Sequence, residues 1–312
     1  MNFKFNINFS PFNKKEKSLG IHFGKGFLKI AMLDKNKQGL NLPIIPFKIE
    51  VSGDPEEIGK ILHEEIERRN INPDIVVAGL NYESVLFRNL KLPKVKKEEL
   101  EDAIQYNIRE DLKSIKGETF YDYSILGEDE NDLQNILIAI AHKKDIDIVN
   151  TVLKVAGLNM DIVDTEPTAL INLAFLHQHV SEEKEENICV VHLEDNYSFI
   201  VFYNKGIITQ TLNFNSREYE KLNEDEKEKA VEGLINEINY FFLTVNEPKI
   251  IYLSGNSFKF PEIKAYSQLK FATRFKIEEL NPVDLLNINY KGNIPLGIFN
   301  VSLSLANRGF LK

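Results

Sequence analysis

The chain has 312 residues, a formal net charge of −9 and a single cysteine, so it is long enough for two domains of ordinary size. The acidic balance argues against a general binder of nucleic acid or anionic lipid, and we expect no nucleic-acid partner. No apolar run approaches the length of a membrane span and no signal peptide precedes the first predicted strand. We therefore expect a cytoplasmic protein without direct membrane insertion.

Residues 1–17 are predicted to lie outside the first domain as an N-terminal tail. They begin with an alternating stretch from Phe3 to Phe9 and end in a basic run from Lys14 to Lys17.

The first domain, residues 18–180, is predicted to open with a β-hairpin. Its strands run from Leu19 to Phe23 and from Phe27 to Leu33, with Gly24-Lys25-Gly26 as the turn. The two glycines permit the positive φ that a short hairpin loop needs. A hairpin whose backbone amides face a cleft is one way in which a protein holds a phosphate group, so this hairpin is a candidate site.

A helix and two strands are predicted to follow the hairpin. The helix runs from Asp54 to Asn70, with Asp54 as the N-cap and Pro55 at the first helical position. Short apolar runs at 75–79 and 85–92 predict the strands. An inserted α/β subdomain is then predicted over about residues 93–160, with a helix from Glu98 to Lys113, strands from Thr119 to Leu126 and Ile136 to Ala141, and a helix from Lys144 to Ala156.

The second domain, residues 187–297, is predicted to repeat the opening pattern. Residues 188–203 again read as strand, polar turn and strand, and His192 closes the first strand as His22 does in the earlier hairpin. The lone Cys189 falls in this strand and is expected to be a buried hydrophobic residue. Residues 298–312 are predicted to form a helix that packs back between the domains. Such an internal duplication predicts two like domains that face each other.

The paired hairpins resemble the two phosphate loops of the actin-like superfamily, which includes actin, heat-shock chaperones, sugar kinases and the cell-division protein FtsA. Within it the chain is similar to the PilM family of type IV pilus assembly proteins. The stretches that carry this match are Leu90–Pro93, Tyr121–Tyr123, Ile136–Lys143, Val163–Leu170, Ile251–Gly255 and Val301–Phe310. The resemblance implies a two-lobed α/β actin-like ATPase fold of duplicated ribonuclease-H-like domains, with an inserted subdomain of the FtsA and PilM type and a reduced second-lobe subdomain.

The residues that would hold nucleotide depart from the superfamily pattern. The first loop of active members resembles Asp-x-Gly-x-x-x-x-Lys, and here His22 takes the aspartate position while Gly24 and Lys29 remain. In the second hairpin His192 and Glu194 take the aspartate and glycine positions. These changes remove metal carboxylates and a close backbone approach to phosphate.

The residues of the predicted adenosine pocket also depart from the superfamily pattern. The usual Ser-Gly-Gly motif reads Ser254, Gly255 and Asn256 here. Between residues 213 and 237, where the family carries a whole subdomain, this chain has room for little more than one or two helices. We therefore expect a degenerate nucleotide site, with no cofactor and no enzymatic activity.

The sequence also allows alternative interpretations of these residues. The retained glycines and lysine favour an active ATPase that binds Mg-ATP and switches by domain closure. Glu166 falls where the superfamily can place a water- or metal-positioning acid, although a helix N-terminus explains the same residue. His22 and His192 are candidates for a two-histidine metal site, although no adjacent third ligand stands out.

The resemblance also implies a partner. PilM proteins dock the short cytoplasmic tail of the inner-membrane protein PilN and link it to other pilus platform and motor proteins. We therefore expect a scaffold at the inner face of the inner membrane, in a type IV pilus or a related secretion or competence machine, with a homo-oligomer left open. The cytoplasmic domain of a type II secretion platform is a further interpretation. The groove is expected at Phe87, Leu90, Leu92, Ile104 and Ile108, although ordinary core packing explains the same apolar residues.

The N-terminal tail resembles the partner's own motif. PilN-type tails carry a motif similar to Ile-Asn-Leu-Leu-Pro followed by basic residues, and this chain has Ile7, Asn8, Phe9 and Pro11 before a basic run. The resemblance predicts that residues 5–11 occupy the peptide groove of the same chain or of a neighbour. A strand that extends the first sheet, or a disordered end, explains the segment as well.

Overall fold

The computed structural model describes residues 16–37, 39–128, 131–181, 187–271 and 274–311. Its strands are β1 (Lys17–Gly24), β2 (Phe27–Asn36), β3 (Gly39–Asn41), β4 (Phe47–Glu50), β5 (Ile75–Leu80), β6 (Val85–Pro93), β7 (Thr119–Glu128), β8 (Leu133–His142), β9 (Ile162–Thr165), β10 (Ile188–Leu193), β11 (Ser198–Tyr203), β12 (Ile207–Leu212), β13 (Ile250–Gly255) and β14 (Lys276–Glu279). Its helices are α1 (Pro55–Arg68), α2 (Lys97–Asn107), α3 (Arg109–Ser114), α4 (Lys143–Val155), α5 (Glu166–Ser181), α6 (Ser216–Tyr219), α7 (Glu224–Phe241), α8 (Pro261–Phe271), α9 (Pro282–Leu285) and α10 (Asn300–Arg308).

The first lobe is built on a sheet with the strand order β3-β2-β1-β5-β9, and β4 also pairs with β2. β1 and β2 form the predicted antiparallel hairpin, and β5 lies parallel to β1. α1 begins as predicted, because the Asp54 side chain accepts hydrogen bonds from the backbone of Glu56 and Glu57 and Pro55 is the first helical residue. The local start signal in the sequence therefore places this helix correctly.

The second lobe repeats the arrangement with the strand order β12-β11-β10-β13-β14. β10 pairs antiparallel with β11 and parallel with β13, as β1 does with β2 and β5. His22 lies beside Gly79 of β5, and His192 lies beside Ser254 of β13, so the two histidines hold equivalent positions. The duplication predicted from the two hairpins is confirmed.

Residues 213–237 contain only α6 and most of α7. α7 turns its apolar face, including Val231, Leu234 and Ile238, into the core of the second lobe. An Asn223 capping box starts α7 at Glu224. The second lobe is therefore compact in this region.

A third sheet, with the order β6-β8-β7, carries α2 and α3, and we call residues 85–142 the insert. Leu100, Ile104 and Ile108 pack with β8 residues in a core of the insert's own. The single helix predicted from Glu98 to Lys113 is two helices. It breaks at Ile108, which has φ −89° and ψ 2° and therefore leaves helical geometry.

The insert boundaries differ from the predicted range of about 93–160. β6 pairs with β8 from Val85 onward, so the third sheet begins earlier than expected. α4 packs against α1 and β5, and its buried residues Val149 and Val152 belong to the core of the first lobe. The amphipathic pattern of α4 predicts its buried face but not the sheet that this face covers.

The C-terminal helix joins the lobes. α10 packs across β1, β2 and β5, and a Cβ on Gly20 would lie 2.0 Å from the Ser302 carbonyl oxygen, so glycine permits this close approach. At the start of α10, Asn300 donates hydrogen bonds to Ser254 Oγ at 2.8 Å and to the Leu280 carbonyl at 2.9 Å in the second lobe.

Candidate functional site

The two duplicated hairpins meet in a cleft between the lobes, which we call the interlobe cleft. His22 and His192 lie there with their ring centroids 6.5 Å apart. Both side chains are fully buried. This is the region in which the sequence pattern places a nucleotide site.

A buried ion pair crosses the interlobe cleft. The Lys29 ammonium donates to both carboxylate oxygens of Glu194 at 2.6 Å each, and to the Ile298 carbonyl at 2.8 Å. Lys29 is 3% exposed and Glu194 is 0% exposed. Burial alone would raise the pKa of the Glu194 carboxyl, but the Lys29 charge lowers that pKa well below its usual range. The Lys29 ammonium, which the sequence pattern makes a candidate phosphate ligand, is therefore paired with a protein carboxylate.

His192 holds this carboxylate from the second lobe. Its Nε2 lies 3.0 Å from Glu194 Oε1, and its Nδ1 lies 3.1 Å from Ser254 Oγ. Both ring nitrogens therefore have protein partners.

Glu166, the first residue of α5, occupies the other half of the interlobe cleft and is fully buried. Its carboxylate accepts hydrogen bonds from the Tyr82 backbone N–H at 2.8 Å and from the Tyr197 hydroxyl, and it contacts His22 Nε2. His22 Nδ1 is buried without a hydrogen-bond partner among the described residues. Glu166 thus stands at a helix N-terminus, as one of its two interpretations requires, and these contacts are all with protein groups.

Aromatic rings fill the space between the hairpins. Tyr197 stacks on Phe27 with ring centroids 6.2 Å apart and an interplanar angle of 4°, and Tyr82 stacks on Phe199 at 4.3 Å and 10°. Burial raises the pKa of the Tyr197 hydroxyl well above its usual value, so this group stays a proton donor to Glu166. Neither Tyr82 nor Tyr197 is predicted from the sequence as part of the site. The one available signal was an aromatic residue inside the polar turn of the second hairpin.

Charged and amide side chains close the outer rim of the interlobe cleft. Asp195 pairs with Lys48 of the first lobe and accepts a hydrogen bond from Asn256 Nδ2 at 2.6 Å. Asn196 Nδ2 donates to the Lys25 carbonyl at 3.0 Å. Asn256, which the sequence places in the adenosine motif, therefore holds Asp195.

The two retained glycines occupy positions with structural demands of their own. Gly255 has φ +75°, and a Cβ there would lie 2.3 Å from the Leu193 carbonyl oxygen. Gly24 ends β1 and lines a separate groove, described below. Their presence therefore does not by itself indicate a nucleotide.

The interlobe cleft gives no support to the two-histidine metal site. Among the described residues, no group of three or more histidine, cysteine, aspartate and glutamate side chains is arranged to hold a metal ion. His22 faces Glu166 and His192 faces Glu194, so each imidazole is directed at a carboxylate in its own half of the cleft.

A second concave region lies on the first lobe and reaches the insert at its outer part, and we call it the insert groove. Its inner part is a cavity of about 360 Å³ with apolar side chains that include Phe23, Ile58 and Ile148. Its outer part measures about 820 Å³ and carries charged residues such as Lys116. Asp145 and Ile148 line both parts, so the groove is continuous.

No protein-family model matches this sequence, and no curated protein matches it. Solved structures match over nearly the whole chain. A chain of a PilM-PilN type IV pilus biogenesis complex is 17% identical with a TM-score of 0.75, and the match covers 95% of this chain and 99% of that one. A protein of unknown function with an actin-like ATPase fold from Bacteroides thetaiotaomicron is 12% identical with a TM-score of 0.51, covering 92% and 96%. The ethanolamine utilization protein EutJ from Carboxydothermus hydrogenoformans is 10% identical with a TM-score of 0.50, covering 96% and 92%. The chain has the actin-like ATPase fold.

Within this actin-like fold, burial contradicts three of the five residues predicted for the partner groove. Ile104 and Ile108 are 0% exposed beneath the insert sheet, and Phe87 is buried in the core of the first lobe. Leu90 and Leu92 are partly buried against the core of the insert. The core interpretation, which the sequence also allowed, accounts for these residues because the apolar stripe of α2 packs onto its own sheet.

Two further expectations concern the N-terminal tail and membrane-spanning helices. Ile7, Asn8, Phe9 and Pro11 lie outside the described residues, so the self-docking tail stays a prediction. None of the helices in the described part of the chain combines the length and the apolar character that crossing a bilayer requires.

Proposed function

We propose that this chain is a PilM-like scaffold of a type IV pilus or a related machine, which docks the cytoplasmic tail of a PilN-like inner-membrane protein. Such docking would hold it at the inner face of the inner membrane. The similarity to a chain of the PilM-PilN complex, which spans nearly all of both chains, supports this proposal. The other two structures have TM-scores near 0.5 and support the fold alone.

One observation carries the proposal: the ionisable side chains of the interlobe cleft are buried and paired with one another, while the insert groove is open. The Lys29–Glu194 pair and the Tyr197 ring lie between the two hairpins, where the resemblance to the actin-like superfamily would put phosphates. A nucleotide would have to break a buried ion pair in order to enter, and removing one partner from such a pair costs about 3–5 kcal/mol. We therefore propose a degenerate nucleotide site and a scaffold rather than an enzyme.

The insert groove suits a short peptide tail. Its inner part offers apolar side chains from α1 and α4, including Ile58 and Ile148, beside the backbone of Gly24 and Gly26. Apolar side chains of a tail would enter there, and the exposed backbone of the hairpin turn is within reach of its main chain. The outer part carries both signs of charge, including Lys144 and Asp147, and would lie against the polar residues that follow the motif.

The docking test uses a synthetic peptide with the Ile-Asn-Leu-Leu-Pro motif followed by two lysines. We expect a Kd on the order of micromolar, or about −8 kcal/mol, by calorimetry. Ile148→Glu should weaken binding at least tenfold, because it places a charge where both parts of the groove meet. Ile125→Glu is the matched control, since Ile125 is 48% exposed on β7 of the insert and does not line the groove. Equal weakening by both variants, or no binding by the wild type, would contradict the proposed docking site.

The alternative function is an actin-like ATPase that binds Mg-ATP and closes its lobes. The retained Lys29, Gly24 and Gly255 favour it, and calorimetry with Mg-ATP separates it from the scaffold. We expect no saturable heat at high-micromolar nucleotide. A Kd of about 1 μM would reinstate the ATPase.

A further inference from the structure

A third groove, separate from the insert groove, lies between the insert and the second lobe, and we call it the side groove. It measures about 790 Å³. One wall is the end of β6 with Asn89 and Leu90, and the other is formed by Lys205, Ile208 and the segment after α7. No residue lining the side groove also lines the insert groove, so the two surfaces are independent.

The side groove exposes large apolar side chains. Leu243, just after α7, is 80% exposed, and Ile208 on β12 is 45% exposed. Phe202, which is buried in the core of the second lobe, also borders the groove. Apolar area of this kind in a concave site gains free energy when a partner removes it from water.

The walls of the side groove also offer hydrogen-bonding groups. β6 is an edge strand that pairs with β8 alone among the described strands, so no other described strand covers its outer edge. Four asparagines line the groove, and none of the described hydrogen bonds uses their side-chain amides: Asn89, Asn135, Asn204 and Asn246. Each amide has donors and an acceptor, as a peptide main chain does.

The charge of the side groove contrasts with that of the whole chain. None of the described residues that line it is acidic, and its charged members are Lys91 and Lys205. The chain as a whole has a net charge of −9. A segment with carboxylates would therefore be attracted here and repelled by much of the remaining surface.

We propose that the side groove binds an extended, acidic segment of a partner protein. Alternating apolar side chains of the segment pack on Ile208 and Leu243, its main chain bonds to the asparagine amides and the β6 edge, and a carboxylate pairs with Lys205.

The probe is a phage-displayed library of random dodecapeptides, selected against the full-length protein. The Leu243→Asp variant is added in excess as a competitor, so that peptides for other surfaces are depleted. Enriched peptides are synthesised and their Kd values measured for the wild type, Leu243→Asp, Lys205→Asp and Leu269→Asp. Leu269 is 73% exposed in the same lobe but outside the side groove, which makes Leu269→Asp the matched control. Lys205 has φ +50°, a conformation that aspartate tolerates, so Lys205→Asp should keep the turn.

We expect enriched peptides with a net negative charge and alternating apolar residues. Leu243→Asp and Lys205→Asp should each weaken them at least tenfold, and Leu269→Asp less than twofold. Added salt should weaken binding to the wild type and have less effect on Lys205→Asp. An enriched pool that is basic, a pool unaffected by Lys205→Asp, or the failure of any peptide to enrich would overturn the proposal. None of these results depends on binding of the tail peptide at the insert groove.

Discussion

The interlobe cleft and the insert groove lie on either side of the first hairpin, and their contents are opposite. In the interlobe cleft the buried charged groups are paired with one another and aromatic rings stack beside them. In the insert groove apolar side chains and glycine backbone border an open cavity. A cleft with satisfied charges gains little from a ligand, whereas exposed apolar surface gains from one. The comparison indicates that this chain uses one face of the hairpin as a joint between lobes and leaves the other available.

The largest expected effect comes from breaking the ion pair of the interlobe cleft. Lys29→Met leaves Glu194 buried without its cation, and we expect a loss of about 3–5 kcal/mol in the free energy of unfolding. Urea denaturation followed by circular dichroism measures this loss. The double variant Lys29→Met/Glu194→Leu should recover most of it, because no uncompensated charge then remains. If the double variant lost as much as the sum of the single variants, the pair would not act as a unit.

A smaller effect is expected from the Tyr197 hydroxyl. Tyr197→Phe keeps the ring that stacks on Phe27 but removes the donor to the buried Glu166. Leaving that carboxylate short of one hydrogen bond should cost about 1–3 kcal/mol. Tyr240→Phe is the control, since Tyr240 is 69% exposed and should tolerate the change. Equal unfolding midpoints for Tyr197→Phe and the wild type would show that this contact contributes little to the joint.

The pH dependence of stability should report on Glu194. Its pKa in the folded state is lowered by Lys29, from an ordinary value of 4.5. A group with a depressed folded pKa stabilises the fold above its unfolded pKa and loses that contribution as the pH falls toward the folded pKa. The difference in unfolding free energy between the wild type and Glu194→Gln should therefore be constant from pH 7 to about pH 5. Below pH 4.5, the ordinary pKa of a glutamate carboxyl, this difference in unfolding free energy should shrink.

The surface variant Glu110→Gln provides the comparison for this pH series. Glu110 is 84% exposed, so its carboxylate is in water in both the folded and unfolded states. We expect the wild type and Glu110→Gln to lose stability in parallel as the pH falls. A Glu194→Gln curve that also ran parallel to the wild type would show that Glu194 is not held as an ion pair.

The sequence predicts the secondary structure of these two regions better than the side-chain contacts inside them. Asp54 and Pro55 place the start of α1, and the repeated hairpins place His22 and His192 in equivalent positions, because both signals are local or repeated. The stacking around Tyr82 and Tyr197 is not predicted, because it depends on contact between two lobes that are far apart in the sequence. The buried Ile104 illustrates a second limit, since an apolar stripe shows that a helix face is covered but not whether core or partner covers it.

The smallest effect on stability is expected from Ile148→Glu in the insert groove. Ile148 lies part-buried on α4 at the junction of the two parts of the groove, and glutamate is a good helix former. Ile148→Glu should therefore change the free energy of unfolding by less than about 1 kcal/mol. Leu153 on the same helix is 0% exposed in the core of the first lobe and lines neither part of the groove.

Leu153→Glu therefore makes the contrasting variant on the same helix, and we expect it to cost more than about 3 kcal/mol, because it buries a carboxylate among apolar residues. Urea denaturation of both variants beside the wild type measures the difference. If Ile148→Glu destabilised the protein as much as Leu153→Glu, Ile148 would be a core residue rather than a groove residue. Its effect on peptide binding would then report on folding, and the distinction between an interlobe cleft with paired charges and an available insert groove would lose its support at this position.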